Sequence, residues 1–102
     1  YISSNIIKIG KVINKKSPNT KIYIQTILPV EKEIYKENIL RINTILKESE
    51  KSNPYKIIDL HSVFINEKGI ILSELFTDGI HLSEKGYQVW VDFIKPIIYT
   101  IK

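Results

Sequence analysis

The feature that most constrains this chain is a strand pattern that occurs on both sides of a helix pattern. Lys21 to Leu28 reads Lys-Ile-Tyr-Ile-Gln-Thr-Ile-Leu, β-branched and aromatic nearly throughout, and is closed by Pro29. Lys56 to Leu60 is a shorter run with Ile57 and Ile58 as its apolar residues. Between the two, Tyr35, Ile39, Ile42, Ile45 and Leu46 share one helical face, and Lys36, Arg41, Lys47 and Glu48 take the other. The pattern breaks at Ser52, Asn53 and Pro54. A connection of this length suits a crossover between parallel strands and is far too long for a hairpin. Parallel pairs occur almost only in sheets covered by helices on both faces, so the segment predicts a three-layer α/β/α architecture.

The flanking segments fit that architecture. Ile2, Ile6, Ile9 and Ile13 recur at helical steps over residues 2 to 14, with Lys8, Lys11 and Lys15 pointing elsewhere, and Ser17-Pro18-Asn19 stops the helix. At the other end Ser83 is an N-cap, and Tyr87, Trp90, Val91 and Ile94 keep helical spacing up to Pro96. From His61 to Phe76 the period is mixed. Asn66-Glu67-Lys68-Gly69 is a turn, and Ile70 to Phe76 is apolar without committing to helix or strand. Two parallel strands make a poor sheet alone, and a strand as apolar as Lys21 to Leu28 normally has neighbours on both edges. The 102 residues suffice for one small core. Residues 1–102 are therefore expected to form the C-terminal part of a single domain whose other strands precede Tyr1.

Composition narrows the function classes. With 43% hydrophobic residues, 25% charged residues, four Gly and four Pro, the chain is neither disordered nor collagen-like. The net charge of +4 comes largely from lysines scattered among Ile and Asn, which reads as AT-rich codon usage, and no nucleic-acid partner is expected. The apolar runs are far shorter than the ~20 residues of a membrane-spanning helix. Without cysteine there is no thiolate nucleophile, no Cys metal site and no disulfide framework, and the compartment stays open.

Two histidines carry any acid–base chemistry near neutral pH. His61 follows Asp59-Leu60 at a parallel strand's C-terminal end, where open α/β sheets place their sites; equally, Asp59 caps a turn there and His61 is structural. His81 lies in Thr77-Asp78-Gly79-Ile80-His81-Leu82-Ser83. Asp78 stands three residues earlier across Gly79, a spacing at which one turn brings carboxylate to imidazole. Such a pair makes a base for a nucleophile, or simply a structural hydrogen bond. No His-x-x-x-His or equivalent spacing supports a metal. Tyr87 and Trp90 either stack a ring or belong to the core. Lys8, Lys11, Lys15 and Lys16 form either a solvated face or an anion-binding surface.

Taken together, Lys21-Ile22-Tyr23-Ile24-Gln25-Thr26-Ile27-Leu28-Pro29-Val30 and Asp78-Gly79-Ile80-His81-Leu82-Ser83-Glu84-Lys85-Gly86-Tyr87 resemble the C-terminal half of an SGNH hydrolase, also called a GDSL-like esterase or lipase. Ile57-Ile58-Asp59-Leu60 and a Phe64 to Leu72 segment with a central Gly69 sit between them in the expected order. The resemblance implies a flavodoxin-like fold represented by its last two parallel strands and flanking helices. It also implies a catalytic pair in which His81 is the general base for a serine and Asp78 completes the triad. The reaction implied is cleavage of a small-molecule acyl ester of a carbohydrate or lipid, through an acyl-enzyme and without metal or other cofactor. The Gln25-Thr26-Ile27-Leu28-Pro29 variant resembles the acetylhydrolase-like branch, favouring short acyl groups. The family's Gly-Asp-Ser and Gly-x-Asn-Asp motifs are absent, so the isolated chain is expected to be inactive. The competing expectation is a non-catalytic α/β binding or scaffold module whose Asp78–His81 pair staples the final loop. Oligomeric state is left open.

Overall fold

The computed structural model describes residues 2–99; Tyr1 and residues 100–102 of the expected 1–102 domain lie outside it. Five main elements follow in order: α1 (Ile2–Lys16), β1 (Tyr23–Gln25), α2 (Glu33–Ser49), β2 (Lys56–Ile58) and α3 (Glu84–Ile98). The strands pair in parallel, with Tyr23 opposite Lys56, Ile24 opposite Ile57 and Gln25 opposite Ile58. Successive strand residues face opposite sides of a sheet, and β1 shows both sides occupied. Ile24 lies toward Gly10 of α1, while the Gln25 Oε1 accepts a 2.6 Å hydrogen bond from Trp90 Nε1 of α3. The arrangement is three-layered, helix on sheet on helix.

Both strands are shorter than the sequence predicts. A ladder extends only as far as its partner, and β2 ends where the Leu60 amide turns back to the Ile58 carbonyl at 2.8 Å. Beyond Thr26 the backbone of the first strand is claimed by a side chain instead: Asn43 Oδ1 accepts from the Ile27 amide at 2.7 Å, and Asn43 Nδ2 donates to the Ile27 carbonyl at 2.9 Å. Asn43 is buried in the middle of α2. The last helix runs past Pro96 to Ile98, because proline removes one bond near a helix end where few remain to be lost.

The buried line of α1 also differs from expectation. Ile2, Ile9 and Ile13 are exposed, and Ser3 and Gly10 face inward. The cause is the closeness of the contact at Gly10, where a Cβ would stand 2.8 Å from the Tyr55 ring. Only a residue without a side chain lets α1 approach Tyr55 and Ile24 so nearly.

The segment from His61 to Phe76 resolves into two short 3₁₀ turns, His61–Phe64 and Ser73–Leu75, on either side of the 66–69 turn. The Asn66 carboxamide oxygen accepts from the amides of Lys68 and Ile70, and Gly69 takes the left-handed φ of 79°. The turns carry Phe64 and Leu75 into a core with Leu60 and Phe76. Phe64 and Phe76 meet edge to face at 5.7 Å. Leu28, Leu82, Val89, Trp90 and Phe93 pack around them, so the core lies beneath α3 and directly supports the loop that precedes it.

Candidate active site

The Asp78–His81 loop is closed at its base by backbone. The Thr77 amide donates to the His81 carbonyl at 2.8 Å, and Phe76 bridges Leu82 in antiparallel fashion. Gly79 provides the left-handed corner at φ 81°. Its missing side chain also leaves room for Glu31, whose Cβ would stand 2.8 Å from a Cβ at Gly79 and whose amide donates to the Gly79 carbonyl at 2.9 Å. The segment after β1 thereby braces the loop from one side. On the other side Ser83 caps α3: its Oγ accepts from the Gly86 amide at 3.1 Å and donates to the Glu74 carbonyl at 3.0 Å.

Within this frame Asp78 uses both carboxylate oxygens. Oδ1 accepts from the amides of Ile80 at 3.0 Å and His81 at 2.7 Å, and Oδ2 lies 2.7 Å from His81 Nδ1. The His81 amide, the His81 ring and then the Ile80 amide hold the Asp78 carboxyl well below the usual carboxylate range. An ionised carboxylate only accepts, so Nδ1 must be the donor. The ring is 75% exposed, and Nε2 has no partner among the described residues. The arrangement is an oriented imidazole open to solvent on the side away from its carboxylate.

His61 is not brought to this pair. It is 8% exposed, and its amide donates to Thr26 Oγ1 at 2.9 Å. Asp59 does cap the turn that follows it: Ser62 donates from both its amide and its hydroxyl, and Lys47 Nζ lies 3.0 Å from Asp59 Oδ2. Trp90 packs against the core through its ring, while Tyr87 is exposed and meets Trp90 edge to face at 6.3 Å. Lys8, Lys11, Lys15 and Lys16 are all exposed.

Four residues that position the site are not distinguished by their chemistry in the sequence. Gln25 fastens α3 through Trp90, Thr26 fastens the His61 turn, Asn43 holds Ile27, and Gly86 admits the Leu75 carbonyl, which would lie 2.1 Å from a Cβ there. Asn43 does leave a signal, as one polar residue set between the apolar positions Ile39, Ile42 and Leu46 of α2.

Two solved structures resemble nearly the whole chain. A Streptococcus pneumonia protein, provisionally described as a platelet activating factor, aligns with a TM-score of 0.81 and 27% identity over 95% of this chain and 50% of its own. A GDSL-like lipase from Bacteroides thetaiotaomicron aligns with a TM-score of 0.76 and 18% identity over 96% of this chain and 51% of its own. The chain thus spans about half the length of these structures. No protein-family model and no curated protein matches the sequence. The two parallel strands and their covering helices are part of the SGNH, GDSL-like fold, in agreement with the sequence resemblance. Among the described residues no helix is long and apolar enough to cross a membrane.

Proposed function

We propose that this chain supplies the acid–base half of a serine carboxylic ester hydrolase of the SGNH type, acting on acetyl or other short acyl esters of a carbohydrate or lipid. The observation that carries the reading is the 2.7 Å contact between Asp78 Oδ2 and His81 Nδ1 on a braced loop, with Nε2 unpartnered among the described residues. In this reading His81 Nε2 takes the proton of a serine hydroxyl as it attacks the ester carbonyl. The imidazolium that forms is stabilised by Asp78, and the proton passes to the departing alkoxide. Water then repeats the sequence on the acyl-enzyme, with His81 again the base.

The serine and the oxyanion donors are assigned to another part of the same domain, of which residues 1–102 are the C-terminal part. Three observations support this division. The matched structures are about twice as long. Among the described residues β1 pairs along one edge only, with β2. Ile2, Ile9 and Ile13 form an exposed apolar row, and Ile2 continues into an apolar cavity of 320 Å³ with Ile27, Ile42 and Ile80.

Without the oxyanion donors the largest catalytic contribution is missing, so the 102-residue chain by itself should not turn over 4-nitrophenyl acetate. Turnover by the isolated chain that disappears in His81→Ala would overturn that division. In the complete domain His81→Ala should abolish hydrolysis. The two amides on Asp78 Oδ1 favour a second reading, in which the pair only staples the loop; a complete domain that keeps its esterase activity after His81→Ala selects it.

A further inference from the structure

A cavity of 480 Å³ lies not at the surface around His81 but in a recess beside it, in the size range of small-molecule sites. Its walls come from the segment after β1, the first turns of α2, the 65–71 turn and His61. Glu31 belongs both to this wall and to the brace under Gly79, so cavity and Asp78–His81 loop share a partition one residue thick.

His61 gives the recess its chemistry. The residue is more than nine-tenths buried, yet its imidazole makes no hydrogen bond among the described residues. No fully buried side-chain nitrogen or oxygen there is left without a partner. The ring nitrogens must therefore reach open space, and the space that His61 lines is this cavity. Burial first of all holds the imidazole below its ordinary pKa, which favours the neutral ring, one nitrogen donating and one accepting.

The rest of the lining selects among ligands. Two carboxylates, Glu31 and Glu33, and two ammonium groups, Lys36 and Lys68, stand around an apolar floor that includes Ile39 and Ile71. An anion would meet the carboxylates and a cation the ammonium groups. A hydrocarbon would leave the imidazole nitrogens desolvated and without hydrogen-bond partners. A ring with hydroxyls on its rim and C–H bonds on its face satisfies all three features at once.

We propose that this cavity binds a neutral carbohydrate ring, with His61 hydrogen-bonded to its hydroxyls and Lys36, Lys68, Glu31 and Glu33 around its edge. That the ring is the alcohol part of the ester cleaved at His81 rests on the hydrolase reading above; the binding itself does not.

The test is titration of the protein with the methyl glycosides of glucose, galactose, mannose and N-acetylglucosamine, followed by NMR at the His61 ring proton and the amides of Glu31, Lys36 and Lys68. At least one glycoside should give saturable shifts in the millimolar range. His61→Phe, which fills the recess, should weaken binding by about tenfold, the worth of one or two hydrogen bonds. The exposed pair Glu33→Gln with Lys36→Gln should weaken it without touching the core, and His81→Ala should leave it unchanged. Absence of saturable shifts with all four glycosides, equal binding by the His61→Phe and rim variants, or saturation by phosphate or octanoate in place of the glycosides would overturn the proposal. In the complete domain, His61→Phe should raise KM for the sugar ester by a larger factor than it raises KM for 4-nitrophenyl acetate. If glycosides bind but no ester is cleaved, the hydrolase reading fails and the binding site stands.

Discussion

The two histidines of this chain occupy opposite environments within one neighbourhood. His81 is exposed, and its ring is held by a carboxylate three residues away that is itself exposed. His61 is buried, and its position is fixed through its backbone while its ring faces a cavity and has no partner among the described residues. Burial and orientation are thus separable. An imidazole meant to move protons needs a fixed tautomer and access, which a short polar turn supplies. An imidazole meant to recognise a neutral group needs to keep its hydrogen-bonding capacity unspent, which a cavity preserves.

The contrast is broken most directly by truncation. In the complete domain His81→Ala should lower kcat/KM on the order of 10⁶-fold while shifting stability by no more than about 0.5 kcal/mol, as expected for an exposed ring; steady-state kinetics beside thermal unfolding measures both. Asp78→Asn keeps the shape of the turn but allows the wrong tautomer, and kcat should fall on the order of 10⁴-fold. A loss of comparable size in His61→Gln would erase the distinction between the two rings.

The support of the loop is tested at Gly86. A Cβ there would stand 2.1 Å from the Leu75 carbonyl, so Gly86→Ala must push α3 from the turn it caps. Chemical denaturation should register a loss of about 1–3 kcal/mol. The smallest effect concerns His61 and pH. Burial, partly offset by the Asp59 carboxylate, lowers its pKa below 6.5 in the folded chain. The unfolded chain therefore takes up the proton first, and stability should decline as pH falls through 6.5 toward the folded value. His61→Gln should flatten that decline, and His81→Gln should not abolish it.

How much of this was readable from the sequence depends on the range over which each feature is determined. The Ser83 cap and the meeting of Asp78 with His81 are decided within a few residues, and the sequence predicts them. The parallel order of the two strands follows from the length of the crossover between them. The extent of β1 is not legible, because it depends on a partner strand and on Asn43 arriving from α2. The packed side of α1 is missed for a similar reason: an isoleucine stripe outweighs Ser3 and Gly10 in any periodicity, and only Tyr55 makes Gly10 the point of contact. The unpartnered state of His61 is the least legible, since it requires knowing what surrounds a side chain and what does not.

The closure of the Asp78–His81 loop by Phe76, Thr77, Leu82 and Ser83 has a kinetic consequence. Contacts between residues so near in sequence require little loop-closure entropy and form among the earliest in folding. The slow, long-range assembly is that of β1 with β2 and of α3 with Gln25, 65 residues away. The imidazole is thus oriented before the two strands are joined, and in the proposed hydrolase the base would be in place before a hydroxyl reached it.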